Sequence, residues 1–129
     1  SLAQALNRRA RAVDRRIAVM LQVNTADSAN QSGVRPDQLV ELAGRVAELS
    51  SLKVCGLMTI GAHSDDEHTV RASFARLRVL KDNVQAAGIA NTSMRHLSMG
   101  MSGDFEWAIA EGSTMLRLGT ALFGARDVI

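Results

Sequence analysis

The chain has 129 residues, 47% of them hydrophobic, a formal net charge of +2 and one cysteine. That length suits one domain and leaves no internal disulfide. No apolar run reaches the roughly 18–20 residues of a membrane span, and the cluster Arg8, Arg9, Arg11, Arg15 and Arg16 has no interleaved aromatics to stack bases, so neither a membrane nor a nucleic acid is expected as partner.

Cys55 lies inside an apolar run and reads as a core residue of a protein in a reducing compartment. The start, Ser1-Leu2-Ala3-Gln4, lacks both an apolar signal core and an initiator methionine. It therefore reads as the start of a fragment or processed chain in the cytoplasm.

Residues 1–14 show a helical pattern, with Leu2, Leu6 and Val13 on one side and arginines on the other. IAVMLQV at 17–23 is a short apolar run, as in a strand buried on both faces of a parallel sheet. It ends in Asn24-Thr25 and a polar loop. Pro36 suits a first helical turn, and Leu39, Leu42, Ala43, Val46 and Leu49 give an amphipathic helix over 36–50. VCGLMTI at 54–60 is the second strand, followed by a polar loop at 61–67. Val70, Phe74, Leu77, Leu80, Val84 and Ala87 predict a helix over 67–87, with Gly88 as its stop. A third strand at 94–99, a short helix at 104–111 closed by Gly112, and a fourth strand at 115–118 complete the series.

Alternation of strand and helix implies a parallel sheet, and parallel α/β folds bind ligands at the carboxyl ends of their strands. Those ends carry Asn24-Thr25, Gly61-Ala62-His63, residues 98–102 and Gly119-Thr120, all small or polar. A strand that ends in Ser or Gly-Thr and runs into a helix offers backbone N–H groups and a hydroxyl to a phosphate. Two such ends on consecutive strands suggest one phosphate held from two sides. Four strands make either an open doubly wound sheet or half of an eight-stranded barrel, which takes about 250 residues.

The stretch LSMGMSGDFEWAIAEGSTMLRLGTALFGARD (97–127) resembles the C-terminal signature of the pyridoxal-phosphate homeostasis proteins, in the alanine-racemase N-terminal-domain group. IAVMLQVNTADSANQSG resembles that family's strand and loop LIQVN…KSG, and VCGLMTI its LRGLMAI. The likeness covers nearly the whole chain, in order. It implies a single partial domain over 1–129, the C-terminal half of a TIM-type (β/α)8 barrel that binds pyridoxal 5′-phosphate (PLP). The phosphate place of such barrels lies by the loops after strands seven and eight, here 98–102 and 119–124.

Carried over by this resemblance, Ser98 offers its hydroxyl to the phosphate, and Gly119 and Thr120 offer N–H groups, with Thr120 adding a hydroxyl. Met99 and Ser102 lie near the ring and phosphate. Arg117 matches the arginine that points at the pyridine nitrogen, where its permanent charge weakens the ring as an electron sink. The family holds PLP as a Schiff base on a lysine at the end of its first strand, and no such lysine stands in this chain. Lys53 precedes a strand at the opposite end, and Lys81 lies mid-helix. Gln31 replaces the usual lysine before Ser-Gly.

The resemblance therefore implies a PLP carrier in PLP homeostasis, with no catalytic residue assigned and the N-terminal half of the barrel as its missing partner. A PLP-dependent amino-acid racemase is the alternative. It needs the lysine and a second acid/base across the ring. A phosphate-binding barrel for another metabolite is the third reading. The cluster His63-Ser-Asp-Asp-Glu-His68 lacks the HExxH spacing and suits a helix start, so no metal is expected.

Overall fold

Short apolar runs with small or polar ends settle into strands because burying both faces outweighs any helical preference of so few residues. The computed structural model describes residues 1–124. Its strands are β1 (Ile17–Gln22), β2 (Leu52–Met58), β3 (Thr92–Met101) and β4 (Met115–Arg117). They form one sheet in the order β1-β2-β3-β4, and every neighbouring pair is parallel. A doubly wound sheet reverses its order at a switch point, and this sheet never reverses. It is a curled half-barrel of the α/β class. The tail of the signature, Ala125-Arg126-Asp127, lies outside the described residues.

The helices follow their capping chemistry. α1 (Leu2–Ala12) opens on Ser1, whose hydroxyl accepts the Gln4 N–H while the Gln4 side chain reaches back, a capping box. A 3-10 turn at Pro36–Gln38 leads into α2 (Leu39–Ala47). α3 (Glu67–Ala86) starts on Asp66, whose Oδ2 accepts the Thr69 N–H at 2.9 Å and the Thr69 hydroxyl at 2.6 Å. α4 (Phe105–Ala110) and α5 (Thr120–Phe123) flank β4.

The core lies between the sheet and α2, α3 and α4. Leu21, Val23, Leu52, Val54, Leu57, Leu97 and Met99 from the sheet side meet Leu39, Ala43, Val46, Val70, Phe74, Leu77, Val84 and Ala108. Strand alternation turns Ala18, Met20, Cys55, Met58, Ser98, Met115 and Arg117 to the other, concave face. α4 sits close on β3 at Gly100, where a Cβ would stand 2.7 Å from that of Ala108.

At the amino ends of the strands, Asn91 holds the turn. Its Nδ2 donates to the carbonyls of Ala47 and Leu52, and Arg16 donates to its Oδ1.

The orientation of α1 differs from the expected one. Leu2 and Val13 are 76% and 66% exposed, while Ala10 is buried and Ala3 packs on the core. Between them Asn7 accepts the Ser51 N–H at 2.9 Å. Residues 3, 7 and 10 form one helical stripe. Their small or hydrogen-bonding side chains let α1 approach the β2 start, which turns the larger apolar residues outward.

Candidate functional site

The carboxyl ends of the four strands are linked through Thr59, just past β2, and Arg117, the last residue of β4. Leu116 packs toward the core, so its neighbour Arg117 points to the concave face. There the Nη2 atom donates to the Thr59 carbonyl at 2.6 Å, spanning from β4 past β3 to the end of β2. Its Nε–H is buried and finds no acceptor among the described residues. Burial pulls the guanidinium pKa below its ordinary value, and the charge of Asp104 partly opposes this. The group still stays protonated near neutrality, since its ordinary value is so high. A buried N–H without an acceptor is a costly arrangement, and it fits a ligand that supplies one.

Thr59, fully buried, ties this end of the sheet together. Its hydroxyl donates to the Val23 carbonyl at 2.8 Å and accepts the Gly61 N–H at 3.2 Å. A hydroxyl has one proton, so the 3.0 Å contact with Thr25 has Thr25 as donor. The Thr59 N–H donates to the Ser98 carbonyl at 3.1 Å. Arg76 on α3 reaches the Thr25 carbonyl and Asp27, and Gln31 donates to the Gly61 carbonyl at 2.6 Å. The sequence pattern placed Thr25 at a strand end but passed over Thr59, the one hydroxyl residue in the otherwise apolar run at 54–60. A lone threonine next to last in that run was the available signal.

Ser98 shares the concave face with Arg117 and is 2% exposed. It pairs with Met58 and Met115 in the neighbouring strands. Ser102 stands past the end of β3. Its Oγ accepts the N–H of Gly119 at 3.2 Å and of Ala121 at 2.9 Å. Expected as a secondary contact, Ser102 instead caps the first turn of α5, and the Gly119 N–H is already engaged by its hydroxyl. The Ser102 oxygen occupies the kind of position an anion's oxygen takes at such a turn. Thr120 is the exposed first residue of α5. Met99 departs from the expected role: its side chain is 0% exposed and belongs to the core cluster on the opposite face from Ser98. Alternation along β3 decides this, because the buried face already carries Leu97.

Beside these residues a cleft of about 270 Å³ opens between the β2–α3 and β3–α4 loops, with His63, Asp65, Asp104 and Trp107 in its wall. A larger cleft of about 630 Å³ lies away from the strand ends, over Glu67, Arg71 and Glu111. Its charges are paired with one another: Arg71 contacts Glu67 at 3.2 Å and Glu111 at 3.0 Å, and Arg78 contacts Glu111 at 3.0 Å. The first of these partners, Arg71, is the main reason the Glu111 carboxyl titrates below its ordinary value. Within the His63–His68 run, Asp66 is committed to capping α3. Among the described residues no group of three or more His, Cys, Asp or Glu is placed to hold a metal. Lys53 is the second residue of β2, exposed and at the amino end, and Lys81 lies on α3.

Residues 1–127 match the family model described as alanine racemase, N-terminal domain. The chain belongs to the alanine racemase N-terminal domain family. Its relatives include proteins named pyridoxal phosphate homeostasis protein. That of Vibrio alginolyticus is 41% identical over 126 residues, which cover 98% of this chain and 53% of the relative. That of Aquifex aeolicus is 45% identical over 108 residues, covering 84% and 46%. The chain thus spans about half the length of the curated relatives it matches.

Among solved structures, an unknown protein from Bifidobacterium adolescentis is 44% identical with a TM-score of 0.90, covering 95% of this chain and 49% of that one. PipY of Synechococcus elongatus with PLP bound is 32% identical with a TM-score of 0.83, covering 95% and 56%. An alanine racemase of Clostridium difficile, at 17% identity and a TM-score of 0.78, shares the fold. No helix among the described residues is long and apolar enough to cross a membrane.

Proposed function

We propose that this member of the alanine racemase N-terminal domain family binds PLP and serves PLP homeostasis without a reaction of its own. It supplies the phosphate and ring-nitrogen half of a (β/α)8 barrel. The observation that carries the reading is Arg117, a half-buried arginine on the concave face whose buried Nε–H finds no acceptor among the described residues. A pyridine nitrogen is an acceptor of the right kind, and PipY, 32% identical, has a structure with PLP bound. Bound PLP supplies an electron sink for chemistry on amines.

The residues of this chain act around the ring in three ways. Arg117 donates toward the ring nitrogen. Its fixed positive charge opposes protonation there, which suits a carrier better than a catalyst. Ser98, Ser102, Gly119 and Thr120 hold the phosphate. Ser102 first gives up the Gly119 and Ala121 N–H groups, so its hydroxyl and those two donors turn to the anion together. Neither Lys53 nor Lys81 stands at this end of the sheet, so the aldehyde end of PLP falls to a lysine outside this stretch.

The partial-domain reading rests on the two sheet edges. Leu2, Val13 and Ile17 are exposed on one side, and Met115, Leu122 and Phe123 on the other. A further half of the barrel would cover both edges.

The test is a PLP titration of the chain with inorganic phosphate as competitor, then borohydride reduction and peptide mass spectrometry. Non-covalent, phosphate-competed binding without a fixed adduct is expected. A specific adduct at Lys53 or Lys81 overturns the division of labour, and PLP binding indifferent to phosphate overturns the phosphate wall.

A further inference from the structure

We propose that Thr59 is a positioning residue for Arg117, its buried hydroxyl holding the carbonyl on which the guanidinium docks and so setting where the buried Nε–H points. This inference rests on the PLP reading for its consequence, though its geometry stands without a ligand.

Thr59 is joined to every strand end. The hydroxyl bonds to Val23 after β1 and receives the Thr25 hydroxyl and the Gly61 N–H. The backbone N–H binds Ser98 of β3, and the backbone carbonyl receives Arg117 of β4. Arg117 has one direct protein acceptor, the Thr59 carbonyl, among the described residues. The plane of the guanidinium is rigid. Anchoring one Nη2 hydrogen bond therefore restricts the directions open to Nε–H.

Strand pairing alone does not hold that carbonyl. Residue 59 lies one past the end of β2, and beyond it the chain turns at Gly61, whose φ is +86°. The hydroxyl, satisfied as both donor and acceptor, braces the peptide at this turn. In the low dielectric of a buried network each such bond strengthens its neighbours.

The arrangement also links Arg117 to the loop after β1. Arg76 ties the Thr25 carbonyl and Asp27 to α3, and Thr25 in turn donates to Thr59. A displacement of this loop would reach the ring-nitrogen contact through two hydroxyls.

The experiment compares wild type with Thr59→Val, Thr59→Ser and Thr59→Ala in the full chain. Thr59→Val removes the hydroxyl at nearly constant volume, Thr59→Ser keeps it, and Thr59→Ala removes it without placing a methyl group against the Val23 carbonyl. The first readout needs no ligand: the Nε–H resonance of Arg117 in ¹⁵N-edited spectra, assigned by its loss in Arg117→Lys. It is expected to exchange slowly with water in wild type and Thr59→Ser, and quickly in Thr59→Val or Thr59→Ala, whichever folds. The second is the ratio of PLP affinity to inorganic phosphate affinity. That ratio is expected to fall about three- to tenfold in the hydroxyl-less variants, the worth of one net hydrogen bond, and to recover in Thr59→Ser.

An Arg117 resonance equally protected in all variants, or one lost as fully in Thr59→Ser, overturns the positioning role. If protection follows the hydroxyl while wild type binds no PLP, the positioning role stands and the PLP reading falls.

Discussion

Arg117, Ser98 and Thr120 are individually unremarkable in a sequence, and each gains a role from its neighbours. Ser98 sits between Leu97 and Met99, so the two-residue period of a strand sends the hydroxyl to the concave face while both flanking side chains enter the core. Thr120 lies three residues past the end of β4, where α5 begins. Ser98→Ala and Thr120→Ala are each expected to weaken PLP and phosphate binding by about 1–3 kcal/mol, the loss of one donor to a charged group. Isothermal titration checks this, and an unchanged affinity removes that residue from the site. Met99 shows the limit of residue-level reading. Its motif neighbours suggested a ligand contact, but only the face on which it lies decides, and that face is core.

At the scale of elements, two close approaches hold the sheet and its helices in register. Gly56 lies so near the His96 backbone that any Cβ would collide with the His96 carbonyl, whose carbon would be 2.8 Å away. Both sides of that contact are strand backbone and cannot swing aside. Gly56→Ala is therefore expected to destabilise the fold by about 2–3 kcal/mol, measured by urea denaturation.

The second approach joins α3 to the end of α4 through Arg71, Arg78 and Glu111. The Glu111 side chain is 13% exposed, while its arginines are 39% and 43% exposed. The half-exposed arginines limit the pair energies, so Glu111→Gln should cost only about 1 kcal/mol. The pH dependence has a definite sign. Because the folded carboxyl titrates below its ordinary value of 4.5, the unfolded chain binds the proton first as pH falls. The stabilisation is complete above the ordinary glutamate value and is lost as pH drops through the lowered one. Thermal melts of wild type should show a steeper decline in that acid window than those of Glu111→Gln. Parallel curves would separate the network from acid sensitivity.

The whole molecule is a curled, all-parallel sheet with helices on its convex side and polar groups at one end. Sequential strand order follows from strand–helix alternation with short connections. It also explains why one edge of the sheet is formed by β1 and the other by β4, each beside exposed apolar residues. On the proposed reading, a further half of the barrel would make the concave face one wall of a larger enclosure. On this scale the clefts matter less than the strand ends. The larger one lies over the paired charges of Glu67, Arg71 and Glu111, whereas the smaller opens between the β2–α3 and β3–α4 loops at the carboxyl ends of the strands.

Local patterning by itself determined much of this protein. The apolar runs placed the four strands to within a few residues, the 3.6-residue period placed α2 and α3, and the long signature at 97–127 identified the family. These features are legible because each depends on residues close in sequence. The boundaries moved where context intervened. Residues 36–38 became a 3-10 turn ahead of α2, and β3 extended to Thr92 and Met101 because strand pairing, absent from local pattern, supplies the hydrogen bonds.

Only the tertiary structure decided which side chains meet. It turned α1 so that Ala3, Asn7 and Ala10 face inward, sent Met99 to the core, gave the Gly119 N–H to Ser102, and set Thr59 beneath Arg117. Each of these depends on distances across residues far apart in the chain, such as the 58 positions between Thr59 and Arg117. No periodicity within one element encodes the meeting of two strand ends, which is why the lone threonine of the second apolar run gained its partner only once the sheet was assembled.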